Sequence, residues 1–336
     1  FMKERVNIII PAITINPELL KCLKEINKIR YSNFFVTIVL NYDSKIKIPR
    51  FKYKINKLIA GKINMSKKRN DAVKKFKSKY IAFIDSDAYP NPNWLKYAIN
   101  YLIKKKADVV GGPGIPFPKQ NYAEKISYLS KRSYFVTGYL NFRKYKAKQR
   151  YCDWLEACNL IMERKFFLKY GGMDNQRYTG EDSEFFERMQ KKQSNLKVFY
   201  SPKLYIHHKE RRVLGFFLQR LTFGMDFLNL VKFNSGIKGY QPFFPLLIFI
   251  SFFSFLFTTS YSINKIVFLT SVIILINLAI LFDIARYIKT IKNLLLTLIT
   301  INFANIFFAL GSIITLIGLR KFLDNRIYLF SRNKEV

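Results

Sequence analysis

Two aspartates stand two positions apart, directly after a short apolar run. Asp85 and Asp87 follow the segment Tyr80–Ile84, and in an extended chain residues i and i+2 point to the same face. Two carboxylates on one face can hold Mg²⁺ or Mn²⁺, which in turn binds a diphosphate. A turn in which an aspartate only caps the backbone is the alternative. The spacing therefore predicts a divalent-metal site at the end of a strand.

Two further clusters place charged side chains at the starts of predicted helices. Lys68 and Arg69 lie where free N–H groups and the helix dipole favour anions, so they could steady phosphates. Glu181 and Asp182 open a later helix, and one of these carboxylates could act as a general base near a metal-bound donor. Ordinary solvated helix ends are the alternatives for both clusters.

The chain has two histidines, which are adjacent and lie in a basic segment. His207 and His208 are followed by Lys209, Arg211 and Arg212. One histidine could complete a metal or diphosphate site at a strand end, and a purely structural histidine fits the pattern equally well.

The segments that carry these residues alternate between strand and helix patterns. Apolar runs predict strands at 6–11, 34–40, 80–84 and 108–112. Apolar periodicity predicts helices at 17–30, 66–77 and 93–105. Such alternation implies a mostly parallel sheet covered by helices, in which ligands bind at the carboxyl ends of the strands.

The composition changes near residue 240, where long uncharged apolar runs begin. These runs contain 26 residues at 239–264, 17 at 266–282 and 27 at 293–319, whereas a membrane span needs about 20. Two to three transmembrane helices are therefore predicted, with buried helices of a soluble domain as the alternative. Residues 213–233 mix apolar and charged positions, which suits an amphipathic helix at the membrane interface or a plain core helix.

The overall charge narrows the class of partner. The 336 residues include 57 Lys and Arg against 22 Asp and Glu, a net charge of +35. No nucleic-acid-binding motif accompanies this charge, so we expect no nucleic-acid partner, but a basic face towards anionic lipid or phosphate-bearing substrates. A general lysine-rich bias in the composition accounts for part of the net positive charge. Three cysteines exclude a disulfide framework and indicate a reducing, cytoplasmic compartment.

Taken in chain order, these motifs resemble the family 2 glycosyltransferases of the GT-A fold over about residues 5–230. The resemblance rests on the opening strand with Pro11, Arg69-Asn70, Asp85-Ser86-Asp87, the stretch 156–174 and Glu181-Asp182. His207, the arginines after it, and Gln219-Arg220 with Gly224 resemble the membrane-associated, succinoglycan-type branch, which builds bacterial exopolysaccharide on lipid carriers. The acidic turn of the family corresponds here to residues 41–44, which include Asp43.

The resemblance implies an inverting transfer of a sugar from a nucleotide-diphosphate sugar, expected to be a UDP-sugar, with Mg²⁺ or Mn²⁺ as cofactor. Asp182 would be the base, with Glu181 orienting the acceptor or the helix start. The metal would be held by Asp87, Asp85 and His207. The donor would be held by Pro11, Asp43, Lys68, Arg69, Asp85 and Arg212.

The same resemblance, together with the apolar runs, predicts the organisation of the chain. A GT-A domain (1–212), with a Rossmann-like, mostly parallel sheet, precedes an all-α transmembrane region. That region comprises an interface helix (213–238), transmembrane helices (239–320) and a basic tail (321–336). We expect a multi-pass protein of the inner cell membrane with a cytoplasmic catalytic domain and a lipid-linked saccharide acceptor. A polyprenyl-phosphate acceptor and a non-catalytic membrane scaffold are the alternatives.

Overall fold

The computed structural model describes residues 4–175, 179–226, 248 and 263–319. The chain divides into two compact units. Unit 1 combines residues 1–117 with 142–209, and unit 2 combines residues 118–141 with 210–336. The boundaries predicted at 212, 238 and 320 stay predictions.

The strands and helices of the described residues are numbered in chain order. The strands are β1 (Val6–Pro11), β2 (Phe34–Leu40), β3 (Lys54–Ile59), β4 (Tyr80–Ile84), β5 (Ala88–Pro90), β6 (Val109–Gly111), β7 (Gly114–Pro116), β8 (Arg150–Tyr151), β9 (Asn159–Glu163), β10 (Val198–Tyr200) and β11 (Ile206–His208). The helices are α1 (Pro17–Ile26), α2 (Met65–Lys75), α3 (Trp94–Lys104), α4 (Tyr122–Lys131), α5 (Tyr134–Thr137), α6 (Arg164–Lys169), α7 (Glu181–Lys192), α8 (Val213–Met225), α9 (Ile263–Ala285) and α10 (Ile291–Leu316).

Unit 1 is built on a sheet of eight strands in the order β3-β2-β1-β4-β9-β6-β10-β8. Strands β3, β2, β1 and β4 run parallel to one another, so their carboxyl ends lie at one edge of the sheet. Strand β9 runs antiparallel between β4 and β6. Strands β1, β2 and β4 are buried along their whole length, which explains why they read as continuous apolar runs in the sequence.

A second, three-stranded sheet continues from the end of β4. Its order is β5-β11-β7, with β11 antiparallel to β5 and parallel to β7. The register pairs His208 with Ala88 and His207 with Tyr89. Strand β5 directly follows the acidic pair and pairs with β11. This pairing brings the histidines of β11 close to the end of β4.

The helices of unit 1 begin where the sequence provides capping side chains. The Asn16 side chain accepts a hydrogen bond from the Leu19 N–H at the start of α1, and the Asn64 side chain accepts one from Lys67 at the start of α2. These side chains satisfy N–H groups that have no partner inside the helix. Helix α2 is thereby fixed at the end that presents Lys68 and Arg69 to the sheet.

Unit 2 consists of helices in its described residues, and helices α8 and α10 touch at two glycines. A Cβ atom added at Gly224 would overlap the Phe308 carbonyl oxygen, and one added at Gly311 would overlap that of Leu221. Small residues allow helix backbones to approach this closely.

The buried Asp283 near the end of α9 accepts hydrogen bonds from the Ser133 hydroxyl (2.7 Å) and the Tyr134 N–H (2.8 Å).

Two helices of unit 2 are long and apolar enough to cross a membrane, at Val267–Ala285 and Ile291–Leu316. They correspond to the second and third apolar runs of the sequence, and they weakly suggest membrane association. The first predicted run lies outside the described residues except for Ile248 and residues 263–264. Helix α8 ends at Met225. Residues 227–238 of the predicted interface helix and the whole basic tail also lie outside the described residues.

The close approach of α8 and α10 generates a stability prediction. Gly311→Ala forces the two backbones apart, which we expect to cost about 1–3 kcal/mol, the range for overpacking. The midpoint of thermal unfolding of the detergent-solubilised chain should fall by a few degrees. Leu316→Ala, at an exposed position of the same helix, is the control and should change the midpoint far less. Equal midpoints for Gly311→Ala and the unaltered chain would contradict this packing.

Candidate active site

A carboxylate–imidazole cluster forms where β4 ends and the small sheet begins. Asp85 follows β4, Asp87 precedes β5, and His208 ends β11. The His208 Nε2 atom lies 3.5 Å from Asp85 Oδ2 and 3.7 Å from Asp87 Oδ1. The Lys209 N–H donates to the Asp87 carbonyl oxygen at 3.0 Å, which holds the end of β11 against the turn that carries the aspartates.

A hydrogen bond at Nδ1 fixes the orientation of the His208 ring. Its Nδ1 lies 3.0 Å from the Lys209 carbonyl oxygen, which can only accept a hydrogen bond. Nδ1 therefore carries a proton, and Nε2 is the ring atom that faces the two carboxylates. Metal-binding histidines are commonly fixed in this way, by donating the other ring N–H to a carbonyl or a carboxylate.

His207 does not join this cluster, which differs from the metal ligand set expected from the sequence. Successive residues of a strand point to opposite faces, so His207 lies on the other face of β11. Its Nδ1 donates to the Pro116 carbonyl oxygen at 2.8 Å, and its ring packs 5.1 Å from Tyr89 and 5.6 Å from Tyr205. Burial lowers the pKa of His207. The structure brings His208, rather than His207, to the aspartates.

The donor set fits a divalent cation. Single ligand atoms of Asp85, Cys158 and His208 lie within 4.8 Å of one another. Burial raises the pKa of the Cys158 thiol well above its usual value, and the nearby Glu156 and Asp85 carboxylates raise it further. A protonated thiol is a poor ligand for a hard cation. The carboxylates of Asp85 and Asp87 with the imidazole of His208 are therefore the groups that would hold Mn²⁺ or Mg²⁺.

Arg69 links this cluster to the start of helix α7. Its side chain is 3% exposed and donates from Nη2 to Asp85 Oδ1 at 2.9 Å and from Nη1 to Glu181 Oε1 at 3.3 Å. Charge-assisted hydrogen bonds of this kind are stronger than neutral ones and fix the geometry of both carboxylates. Arg69 thus lies within the site, where its guanidinium binds two carboxylates.

Lys68 has a different environment from the one that its charge suggests. It is 1% exposed, and its Nζ donates to the Ala12 carbonyl oxygen at 2.5 Å. Ala12 directly follows Pro11, the buried last residue of β1. The Lys68 side chain therefore ties helix α2 to the carboxyl end of β1, which pairs with β4, the strand that precedes Asp85.

Asp182 is positioned by backbone groups at the start of α7. Its Oδ1 accepts from the Ser183 N–H at 2.9 Å and its Oδ2 from the Ala157 N–H at 3.2 Å. Gly180 precedes the helix with a φ of +69°, a conformation that glycine adopts without strain. Burial, together with the adjacent Glu181 carboxylate, raises the pKa of Asp182 to about 7.

Glu156 is a charged residue of this region that was not among the predicted site residues. It pairs with Lys144 at 2.6 Å and Arg143 at 3.9 Å. Burial acts to raise the pKa of Glu156, but Lys144 and Arg143 outweigh it and lower the pKa to about 2. Its neighbour Ala157 binds Asp182. Glu156 lies in the stretch 156–174, which contributed to the family resemblance. The sequence did not show that Glu156 would pair with Lys144 and Arg143.

The other two residues expected at the donor site lie at the surface. Asp43 follows β2 at the same edge of the sheet as Asp85, where it pairs with Lys57 at 2.7 Å. That hydrogen bond lowers the pKa of Asp43. Arg212 belongs to unit 2, where it is the exposed residue before α8.

Three solved structures are similar to the chain at low sequence identity. A mannosyltransferase from Pyrobaculum calidifontis, in complex with GDP-Man and Mn²⁺, is 13% identical, with a TM-score of 0.54 over 94% of this chain and 87% of its own. TarS from S. aureus is 15% identical, with a TM-score of 0.44 over 78% and 44%. GalNAc-T7 with UDP, GalNAc and Mn²⁺ is 13% identical, with a TM-score of 0.46 over 62% and 43%. The first likeness shows a GT-A-like mixed α/β sheet followed by C-terminal helices, as predicted.

The family comparison agrees with the fold. No curated protein matches the chain. Residues 7–170 match the family described as Glycosyl transferase family 2, and this segment contains strands β1 to β9 with both aspartates of the cluster. The family match over residues 7–170 and the GT-A-like fold together support a glycosyltransferase.

Proposed function

We propose that the protein transfers a sugar from a nucleotide-diphosphate sugar to an acceptor hydroxyl, with inversion at the anomeric carbon and a divalent cation as cofactor. One observation carries the proposal. The buried Arg69 binds both Asp85 of the carboxylate–imidazole cluster and Glu181 of helix α7. The group that would bind the diphosphate and the helix that carries Asp182 are thereby held in one network, as a single displacement requires.

Each acidic residue has a separate role in this reaction. Asp85, Asp87 and His208 would hold the cation, with Asp85 kept in place by Arg69. A bound Mn²⁺ or Mg²⁺ would neutralise the charge that builds on the departing diphosphate. Asp182 accepts the proton of the acceptor hydroxyl, and a pKa of about 7 suits a base that works near neutral pH. Glu181 positions the start of α7 through Arg69.

The donor and the acceptor are proposed by chemical class. The mannosyltransferase structure that shares the fold contains GDP-Man and Mn²⁺, which supports a nucleotide-sugar donor and the cation; we propose a UDP-sugar. The two apolar helices α9 and α10 support an acceptor at a membrane surface. A saccharide on a lipid carrier would be presented there, at the cytoplasmic face of the inner membrane. The net charge of +35 suits a surface of anionic lipid.

The carboxylate–imidazole cluster predicts that Asp87→Asn loses cation-dependent donor binding. Removing one anionic ligand weakens the cation site, so we expect at least a tenfold weaker affinity for the UDP-sugar in the presence of Mn²⁺. Calorimetric titration with and without Mn²⁺ measures this. Asp71→Asn, whose carboxylate pairs with Lys67, is the control. Unchanged metal dependence in Asp87→Asn would show that the cation lies elsewhere.

The two adjacent histidines provide a matched pair of variants. His208→Ala should weaken Mn²⁺ binding about tenfold or more, because it removes the nitrogen that faces the carboxylates. His207→Ala should leave Mn²⁺ affinity unchanged, because that ring lies on the opposite face of β11. Titration of the full chain with Mn²⁺ distinguishes them. The reverse ranking would favour the ligand set expected from the sequence.

The base assignment predicts both a rate and a pH profile. Asp182→Asn should lower the rate of transfer by about 10²–10⁴ and leave donor binding nearly intact. In the unaltered protein, kcat/KM should rise with pH through about 7, because the carboxylate must be ionised to accept a proton. That limb should be missing in the residual activity of the variant. Equal losses of binding and turnover would instead identify Asp182 as a structural cap of α7.

A further inference from the structure

Unit 1 has an open cleft with its own set of polar and aromatic side chains. Its volume is about 400 Å³, within the range of roughly 300–1,000 Å³ that is usual for small-molecule sites. Its lining, near the end of β5 and the start of β11, includes Asn91, Asn93, Tyr97, Lys146, Lys203 and Tyr205.

The cleft and the carboxylate–imidazole cluster lie at opposite ends of the three-stranded sheet. Asn91 directly follows β5, which begins after Asp87, and Tyr205 directly precedes β11, which ends at His208. A strand rises by about 3.4 Å per residue, so the step from Asp87 to Asn91 spans about 14 Å. One sugar ring is too short to bridge that distance. The cleft is therefore separate from the site at which a donor sugar would react.

Two lysines in the cleft each lie against a tyrosine ring. The Lys146 Nζ is 3.8 Å from the centroid of the Tyr205 ring, and the Lys203 Nζ is 5.5 Å from that of Tyr97. Both lysines are exposed, and in the described part of the chain neither forms an ion pair. The cleft thus offers two ammonium groups without acidic partners beside two aromatic rings, which suits a ligand that has both a ring and a negative charge.

The walls of the cleft are held in place by buried amide side chains. Asn91 is 6% exposed, and its Nδ2 donates to the carbonyl oxygens of Lys203 (2.8 Å) and Tyr205 (3.2 Å). Its Oδ1 accepts from the Asn93 N–H at 2.9 Å. The buried Asn159 side chain donates to the Leu204 carbonyl oxygen at 2.7 Å. Because these bonds exist without a ligand, little ordering is required when one binds.

A row of partly exposed rings continues from the cleft along the small sheet. The Tyr205 ring contacts His207 at 5.6 Å, His207 contacts Tyr89 at 5.1 Å, and Tyr89 stacks on Phe117 at 5.1 Å. The Lys21 Nζ lies 4.1 Å from the Phe117 ring. Aromatic rings flanked by lysines thus extend the surface beyond the size of a single bound ring, as an extended ligand requires.

We propose that the cleft binds an anionic saccharide, with a carboxylate or phosphate group between Lys146 and Lys203 and sugar rings against Tyr97 and Tyr205. The choice of a saccharide over another anion rests on the proposed function, since a sugar-transferring enzyme handles a saccharide acceptor or product. The cleft then holds a part of that chain remote from its reacting end.

The test is calorimetric titration of the full chain in detergent with trigalacturonate, which carries a carboxylate on every ring. We expect binding that is at least tenfold weaker in the double variant Lys146→Gln/Lys203→Gln. The control, Lys104→Gln/Lys105→Gln, removes the same charge at the far end of helix α3 and should bind normally. Tyr97→Ala should weaken trigalacturonate binding as well.

Three competing ligands decide what the cleft recognises. Maltotriose, which is neutral, should bind far more weakly, and equal binding would overturn the role of the lysines. Inorganic phosphate or oligothymidylate binding as tightly as trigalacturonate, with the same loss in the double variant, would overturn the saccharide. Equal effects of the double variant and its control would overturn the site itself. Cation-dependent hydrolysis of the UDP-sugar should persist in the double variant. Absence of that activity from the unaltered protein would count against the proposed function alone.

Discussion

The two hydrogen bonds of one buried guanidinium hold the candidate active site together. Arg69 comes from helix α2, Asp85 from the end of β4 and Glu181 from the start of α7, and these segments are far apart in the sequence. A buried ion pair is costly to break, because the partner that remains is an uncompensated charge; typical values are about 3–5 kcal/mol. The position of α7 and the orientation of Asp85 are therefore not independent of each other.

Around this arginine, neighbouring carboxylates have opposite tendencies to bind a proton. Lys144 and Arg143 lower the pKa of Glu156 to about 2, so Glu156 stays ionised. Burial and Glu181 raise the pKa of Asp182 to about 7. Acidic groups whose environments move their pKa values apart are typical of sites that assign separate roles to them. Here that difference distinguishes the group that exchanges a proton from the groups that provide fixed charge.

The sequence predicted those elements whose environment is uniform along their length. Strands β1, β2 and β4 were predicted with their observed bounds, because a strand buried on both faces reads as an unbroken apolar run. Strand β3 is half-exposed and lysine-rich, so it lacked that pattern. Strand β9 joins the sheet antiparallel between β4 and β6, an arrangement that depends on contacts distant in sequence.

The same distinction applies to the site. The spacing of Asp85 and Asp87 sufficed to predict two carboxylates at the end of a strand. Choosing between His207 and His208 required the register of β11 against β5, because a shift of one residue exchanges the two faces of a strand. The environment of Lys68 could not be foreseen either, since its charge predicted a phosphate contact and its position in the fold made it a buried support for β1.

The proposed reaction depends most on a cation held by two aspartates and one imidazole. Pulsed electron paramagnetic resonance of Mn²⁺ bound to the full chain with UDP detects ligand nitrogen directly, through its modulation of the electron spin echo. We expect coupling to one imidazole nitrogen. This ¹⁴N coupling should disappear when histidine is labelled with ¹⁵N, and the ¹⁵N pattern should replace it. Bound Mn²⁺ without any histidine coupling would contradict this proposal.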